Sequence, residues 1–257
     1  MPPAALFGLD QWERLLLQGA IRPGELRVML DGTQLDLHKL GIFGPAGRLN
    51  PPALARLTRQ GASVVHNDLH RLVPGLWDLV CDTARHFREQ VGLGLITSFG
   101  TRSAFKRHFD QEDLLIVQLE GSKDWRFYGE PVPGPALPRA PDSLPAEISA
   151  TITMQPGDVL YVPAGQTHEC TAHGYSMHLG LLIDHLSPRA AIAQLFDAHA
   201  DLNEQFHAFL SDAAIEDTAA RLKAALLARI EATDMVDWVR QREQKRAAVE
   251  PISLKPE

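Results

Sequence analysis

The sequence predicts a mainly β core with helical flanks. Three observations carry this expectation. From Leu93 to Leu182, short β-branched and aromatic runs alternate with Gly/Pro turns: LGLITSF, DLLIVQL, DWRFYG, ATITM, DVLYVP and SMHLGLLI. That texture belongs to an antiparallel barrel or sandwich. Ahead of it, segments of helical period are mixed with a short hairpin. Beyond Ser187, AAIAQLFDAHADLNEQFHAFL and TAARLKAALLARIEATDMVDWVRQREQK are helical by period and composition. The expected organisation is a β domain with its N-terminal helices over 1–187 and a helical region over 188–257, closed by the loose tail PISLKPE.

The elements follow in order. Residues 8–19 place Leu9, Trp12, Leu15 and Leu16 at helical spacing. LRVML (26–30) reads as a strand, Asp31-Gly32 as a tight turn, and 33–37 as the returning arm. Asn50-Pro51-Pro52 opens a helix to about 60, since proline suits a first turn. Residues 61–65 form a strand. Residues 73–90 carry an apolar stripe at Leu76, Leu79, Val80, Ala84 and Phe87, which makes a surface helix with one buried face. Between Gly129 and Pro145, six prolines exclude a central strand. That span is a long loop, of a length often used as a lid.

The chain has 257 residues, 45% hydrophobic and 22% charged, an ordinary globular composition. No apolar run approaches a membrane span and the N-terminus lacks the pattern of a secretory signal, so a cytoplasmic protein is expected. Two cysteines, Cys81 and Cys170, read as free thiols. The formal charge of -7 argues against non-specific nucleic-acid binding, although Arg102, Lys106 and Arg107 could form a local basic patch.

The chemistry concentrates in His108-Phe109-Asp110 and in PGDVLYVPAGQTH, which ends on His168. On a strand, His108 and Asp110 would share one face. Val159–Val162 reads as a strand, Pro163-Ala164-Gly165 turns the chain, and His168 begins the return. Two imidazoles and one carboxylate form the facial set of non-haem Fe(II) sites, which leaves positions open for other ligands. A buried His-x-Asp can also be a plain hydrogen-bonded pair, and Glu112 and Asp113 are alternative carboxylates. His178 shares the strand parity of His168 and reads as a supporting group rather than a fourth ligand.

Thirteen residues after Asp110, beyond an expected turn at Glu120-Gly121-Ser122, comes KDWRFY. Alternation puts Lys123, Trp125 and Phe127 on one apolar, inward face. An inward lysine is costly unless it meets an anion, and the far carboxylate of a dicarboxylate cosubstrate would supply one. Trp125 and Phe127 could shield the metal, although core packing is their ordinary role.

Together, GASVVHNDLH, FKRHFDQEDLLIVQLEGSKDWRFYG, PGDVLYVPAGQTHEC and SMHLGLL resemble the JmjC/cupin-like Fe(II)- and 2-oxoglutarate-dependent oxygenases, in the bacterial branch related to ribosomal-protein hydroxylases. The resemblance covers about residues 60–185. It implies a double-stranded β-helix (jelly-roll, cupin) core, with His108, Asp110 and His168 on Fe(II) and Lys123 on 2-oxoglutarate, and O2 as the oxidant. Positions where relatives carry polar cosubstrate ligands are here Leu93 or Gly94, and Leu182, so Thr97 and Ser176 stand as substitutes. Helices after the core often mediate dimers in such proteins, which makes 188–257 a candidate homodimer interface.

The leading expectation is a dioxygenase that hydroxylates a side chain in a protein or peptide. A carboxylate at Asp110 fills the position halide takes in related halogenases, which favours hydroxylation. The alternatives are the same chemistry on a small metabolite or biosynthetic peptide, since one fold hosts many substrates, and a non-catalytic cupin-like binding module.

Overall fold

The computed structural model describes residues 5–19, 21–44, 47–132, 143–185, 191–193 and 215–247. The chain forms two compact units, 1–184 and 185–257. In the second, the described helices are α4 (Ile215–Glu231) and α5 (Met235–Ala247). The helix expected near 190–210, the middle of the proline-rich loop and the C-terminal tail lie largely or wholly outside the described residues.

The first unit begins with α1 (Leu9–Gln18) and the hairpin of β1 (Leu26–Leu30) and β2 (Thr33–Gln34). Leu30 faces Thr33 across Asp31 and Gly32, whose φ values of 52° and 69° are those of a type I′ turn. The second arm is two residues long, shorter than expected. Next comes α2 (Pro51–Arg59), where the Asn50 side chain accepts from the Ala53 backbone N–H. β3 (Ser63–Asn67), α3 (Pro74–Phe87) and β4 (Gln90–Phe99) follow. Then come β5 (Asp113–Tyr128), β6 (Ile148–Met154), β7 (Val159–Val162) and β8 (Thr167–Asp184).

All strand pairs are antiparallel. The order is β2-β1-β3-β4-β8-β5-β6, with β7 also on β5. β5 and β8 run together from Asp113↔Ile183 to Tyr128↔Thr167 and so belong to both halves of the jelly roll. The expected turn at Glu120-Gly121-Ser122 is a correction: the chain does not reverse there. The register instead slips between Gln118 and Glu120 and again between Gly121 and Lys123, so the segment bulges inside one 16-residue strand. Gly121 has φ 61°, and a Cβ there would run into the carbonyl of Tyr175. Only glycine lets the two long strands approach this closely.

The bulge also resets which residues face inward. Leu114, Ile116 and Gln118 point in before it; Lys123, Trp125 and Phe127 are buried after it. On the outer face of the sheet, Val28, Val64, Leu93, Leu95, Leu179 and Leu181 pack with Trp12, Leu54, Leu69 and Leu76 from the helical layer. Each such side chain, fully buried, contributes about 1.5–3 kcal/mol. A second cluster of Leu114, Ile116, Trp125, Phe127, Met154 and Val162 fills the inside of the roll.

Candidate metal centre and its pocket

On the concave face of the sheet a cavity of about 310 Å³ opens, and His108, Asp110 and His168 stand at it. Their ligating atoms lie within 4.8 Å of one another. His168 Nε2 is 3.5 Å and His108 Nε2 3.8 Å from Asp110 Oδ2. His168 begins β8 as the sequence predicts. His108 and Asp110 do not lie in a regular strand, which corrects that expectation. His108 instead forms an isolated antiparallel bridge with His168, with backbone N–H···O distances of 3.0 and 2.7 Å. The Asp110 carbonyl accepts from Gly165 N at 2.9 Å. Gly165 has φ 80°, and a Cβ there would meet the Val132 carbonyl. The loop bearing two of the three residues is thus clipped to the turn that carries the third.

The tautomers suit metal binding. His108 Nδ1 lies 2.8 Å from the Lys106 carbonyl and His168 Nδ1 2.9 Å from that of Gln166. Each Nδ1–H therefore donates to the backbone, which leaves the Nε2 lone pair toward Asp110. Burial, with His108 beside it, pulls the His168 imidazole down to about 4, so it is neutral near pH 7. Asp113 is committed elsewhere: its carboxylate accepts from Ala164 N at 2.7 Å and from the Tyr161 hydroxyl, fixing the Pro163-Ala164-Gly165 turn. Glu112 is not part of the cluster.

Lys123 is 1% exposed, and its Nζ lies 2.9 Å from His178 Nδ1. His178 lines the cavity, with the lysine behind it. Burial pulls Lys123 down to about 8 and pushes His178 well below its ordinary value, with Lys123 adding to the latter effect. The ammonium donates and the neutral imidazole accepts. Ser176 is also fully buried, and its hydroxyl accepts from Gln118 Nε2 at 2.8 Å deep in the roll. Thr97 is a correction. On β4, Gly94 and Ile96 face the cavity, whereas Leu93 and Leu95 enter the outer core. Alternation sends Thr97 outward with the latter pair, away from the pocket. Gly94 and Leu182 are in the lining, but neither brings a polar side chain. Trp125 lines the cavity with its ring centroid 5.4 Å from that of His168, and Phe127 sits 6.5 Å from the same ring.

Among the lining residues that escape the sequence reading are Arg27 on β1 and Asn67 on β3. Their signal was present. Within LRVML, alternation sets Arg27 on the face of Met29, opposite Leu26 and Val28, so the charged residue points into the roll.

An antiparallel jelly roll holding two histidines and an aspartate at one open cavity has the architecture of the JmjC and cupin-like proteins. Residues 73–188 match the family model described as the JmjC domain. It is 27% identical over 163 residues to the bifunctional lysine-specific demethylase and histidyl-hydroxylase NO66 of Aedes aegypti, covering 61% of this chain and 26% of that protein. With ribosomal oxygenase 1 of Bos taurus it shares 31% identity over 160 residues, 59% of this chain and 24% of the other. The chain thus spans about a quarter of the length of these relatives. Among solved structures, the ribosomal oxygenase YcfD of Escherichia coli superposes with a TM-score of 0.56 at 16% identity, over 89% of this chain and 60% of that one. No helix among the described residues is long and apolar enough to cross a membrane, and both cysteines are free.

Proposed function

We propose that the protein is an Fe(II)- and 2-oxoglutarate-dependent dioxygenase that hydroxylates a side chain of a protein or peptide. The observation that carries this reading is the two-histidine, one-carboxylate cluster at a cavity backed by a buried lysine. The donor set fits a first-row divalent metal with open positions. Iron, 2-oxoglutarate and O2 would supply the oxidation of a C–H bond to C–OH. His108, Asp110 and His168 would hold the metal on one side. The backbone acceptors at Lys106 and Gln166 keep both imidazoles in the ligating tautomer. Lys123 would meet the distal carboxylate of 2-oxoglutarate, either beside His178 or after that side chain turns aside, and the anion would offset the cost of burying the ammonium. Trp125 and Phe127 exclude water from one flank of the site.

NO66 and ribosomal oxygenase 1 carry names that denote protein substrates, which favours a protein or peptide over a small metabolite. The second unit is read as a homodimer contact. Leu226, Leu227, Ile230, Val236 and Val239 on α4 and α5 are exposed, and a second copy would cover them. Ser176 is read as a buried support of Gln118 rather than a direct cosubstrate ligand.

The test is anaerobic titration of 2-oxoglutarate into Fe(II)-loaded protein, watching for the metal-to-ligand charge-transfer band. A band in the wild type that weakens in Lys123→Ala supports the reading. Bound metal without a band rejects it.

A further inference from the structure

The cavity contains a cation that neither the metal cluster nor the cosubstrate lysine uses. Arg27 is half-buried in the pocket wall, and its Nε, fully enclosed, has no hydrogen-bond partner. One Nη2 reaches Asn67 Oδ1 at 3.5 Å, the limit of a hydrogen bond, and the guanidinium carbon lies 5.7 Å from the Phe105 ring centroid. Burial lowers its affinity for the proton, and Asp110 across the cavity partly restores it. A guanidinium is a rigid fork built to bind a carboxylate through two parallel N–H donors. Here the fork is steadied from one side by Asn67 and supported by Phe105, and its inner nitrogen has no acceptor. A buried donor without an acceptor is costly, so the group favours an anionic partner at its accessible side.

The formal charges say which ligand. Imidazoles on a metal are uncharged ligands, and burial beside Lys123 keeps His178 neutral. A divalent metal, Asp110, dianionic 2-oxoglutarate and charged Lys123 cancel, so Arg27 is left as the uncompensated charge. In the sheet order, β1 with Arg27 is separated from β5 with Lys123 by β3, β4 and β8. The two cations therefore serve different ends of the cavity.

Building on the oxygenase reading, we propose that Arg27, held by Asn67, is the specificity-determining residue of the pocket and receives a carboxylate of the substrate. The substrate class is then an acidic side chain, or a residue beside one, and a lysyl or arginyl side chain is excluded by charge.

The test uses the full chain with Mn(II) and the inert cosubstrate analogue N-oxalylglycine. Binding of N-acetyl-aspartate amide, N-acetyl-asparagine amide and N-acetyl-lysine amide is measured by calorimetry. The aspartyl probe should bind at least about tenfold tighter than the other two, the scale of one charge-assisted hydrogen bond. Arg27→Gln should erase that preference while N-oxalylglycine affinity stays within about twofold, a margin far below that bond's energy. Arg27→Lys, which keeps the charge, should preserve the sign of the preference. Equal binding of all three probes, or a preference that survives Arg27→Gln, overturns the proposal. Loss of N-oxalylglycine binding in Arg27→Gln also overturns it, because the guanidinium would then hold the cosubstrate. Failure of Mn(II) and N-oxalylglycine to bind the wild type would sink the oxygenase reading. It would sink the Arg27 proposal only if the Arg27-dependent aspartyl preference is also absent from metal-free protein.

Discussion

Replacing Lys123 with methionine should make the metal-free protein more stable and a poorer binder of 2-oxoglutarate. The side chain is 1% exposed, and burial pulls its ammonium from 10.5 to about 8. At 1.36 kcal/mol per tenfold change, that difference is a folding penalty of roughly 3 kcal/mol at pH 7, where the lysine is charged in both states. Methionine has similar length and no charge, so it removes the penalty. It also removes the 2.9 Å charge-assisted hydrogen bond to His178, worth about 1.5 kcal/mol at the low end for a charged donor. The net gain is about 1.5 kcal/mol, or about 3–6 °C in Tm for a domain of this size. The sign is specific. Between pH 8 and 10.5 the unfolded chain holds a proton that the folded chain has released, so wild-type stability rises through that window. The variant lacks this contribution, and its advantage fades as pH approaches 10.5. Affinity should move the other way. Losing a charge-assisted bond to a carboxylate costs about 1.5–3 kcal/mol, roughly 10–150-fold in Kd for 2-oxoglutarate with Mn(II). Urea unfolding at pH 7 and pH 10 together with calorimetry reads both effects. A variant no more stable than wild type at pH 7, or one that binds 2-oxoglutarate equally well, refutes the reasoning.

Asp110→Ala and His168→Ala should each weaken Mn(II) binding beyond the roughly 10–100-fold that loss of a supporting outer partner costs, with an unchanged far-UV spectrum. Calorimetric titration showing wild-type metal affinity in either variant would remove that residue from the ligand set. His66 is fully buried, accepts from Trp12 Nε1 at 3.2 Å, and burial pulls it to about 4. As pH falls from 6.5 to 4 the unfolded chain binds a proton the folded chain refuses, so up to roughly 3 kcal/mol of stability is lost in that window. His66→Leu should flatten the acid limb of a urea-midpoint profile, and an unaltered limb would count against the assignment. Gly121→Ala should destabilise by more than the roughly 1–3 kcal/mol of a strained φ, because the added methyl meets the Tyr175 carbonyl. A soluble variant with wild-type Tm would show that the bulge does not need glycine.

Much of the architecture was legible from local signals. Alternation in KDWRFY marked Lys123, Trp125 and Phe127 as inward, and all three are buried. The Asp31-Gly32 pair marked its turn, and the apolar stripe of 73–90 marked α3. These features depend on period and backbone preference, which neighbours along the chain express by themselves. Others depended on what a distant strand presents. Gly121 looked like a turn, yet it is a bulge, because β8 pairs with the chain on both sides of it. Thr97 looked like a polar ligand, yet the register of β4 against β3 and β8 turns it outward. His108 and Asp110 looked like strand neighbours, yet a bridge to His168 and a bond from Gly165 hold their loop. Residue types and spacing named the groups capable of chemistry. Pairing between strands far apart in sequence chose which of them share a cavity, and it brought in Arg27 and Asn67, because register sets the facing of a side chain and one residue of slip reverses it.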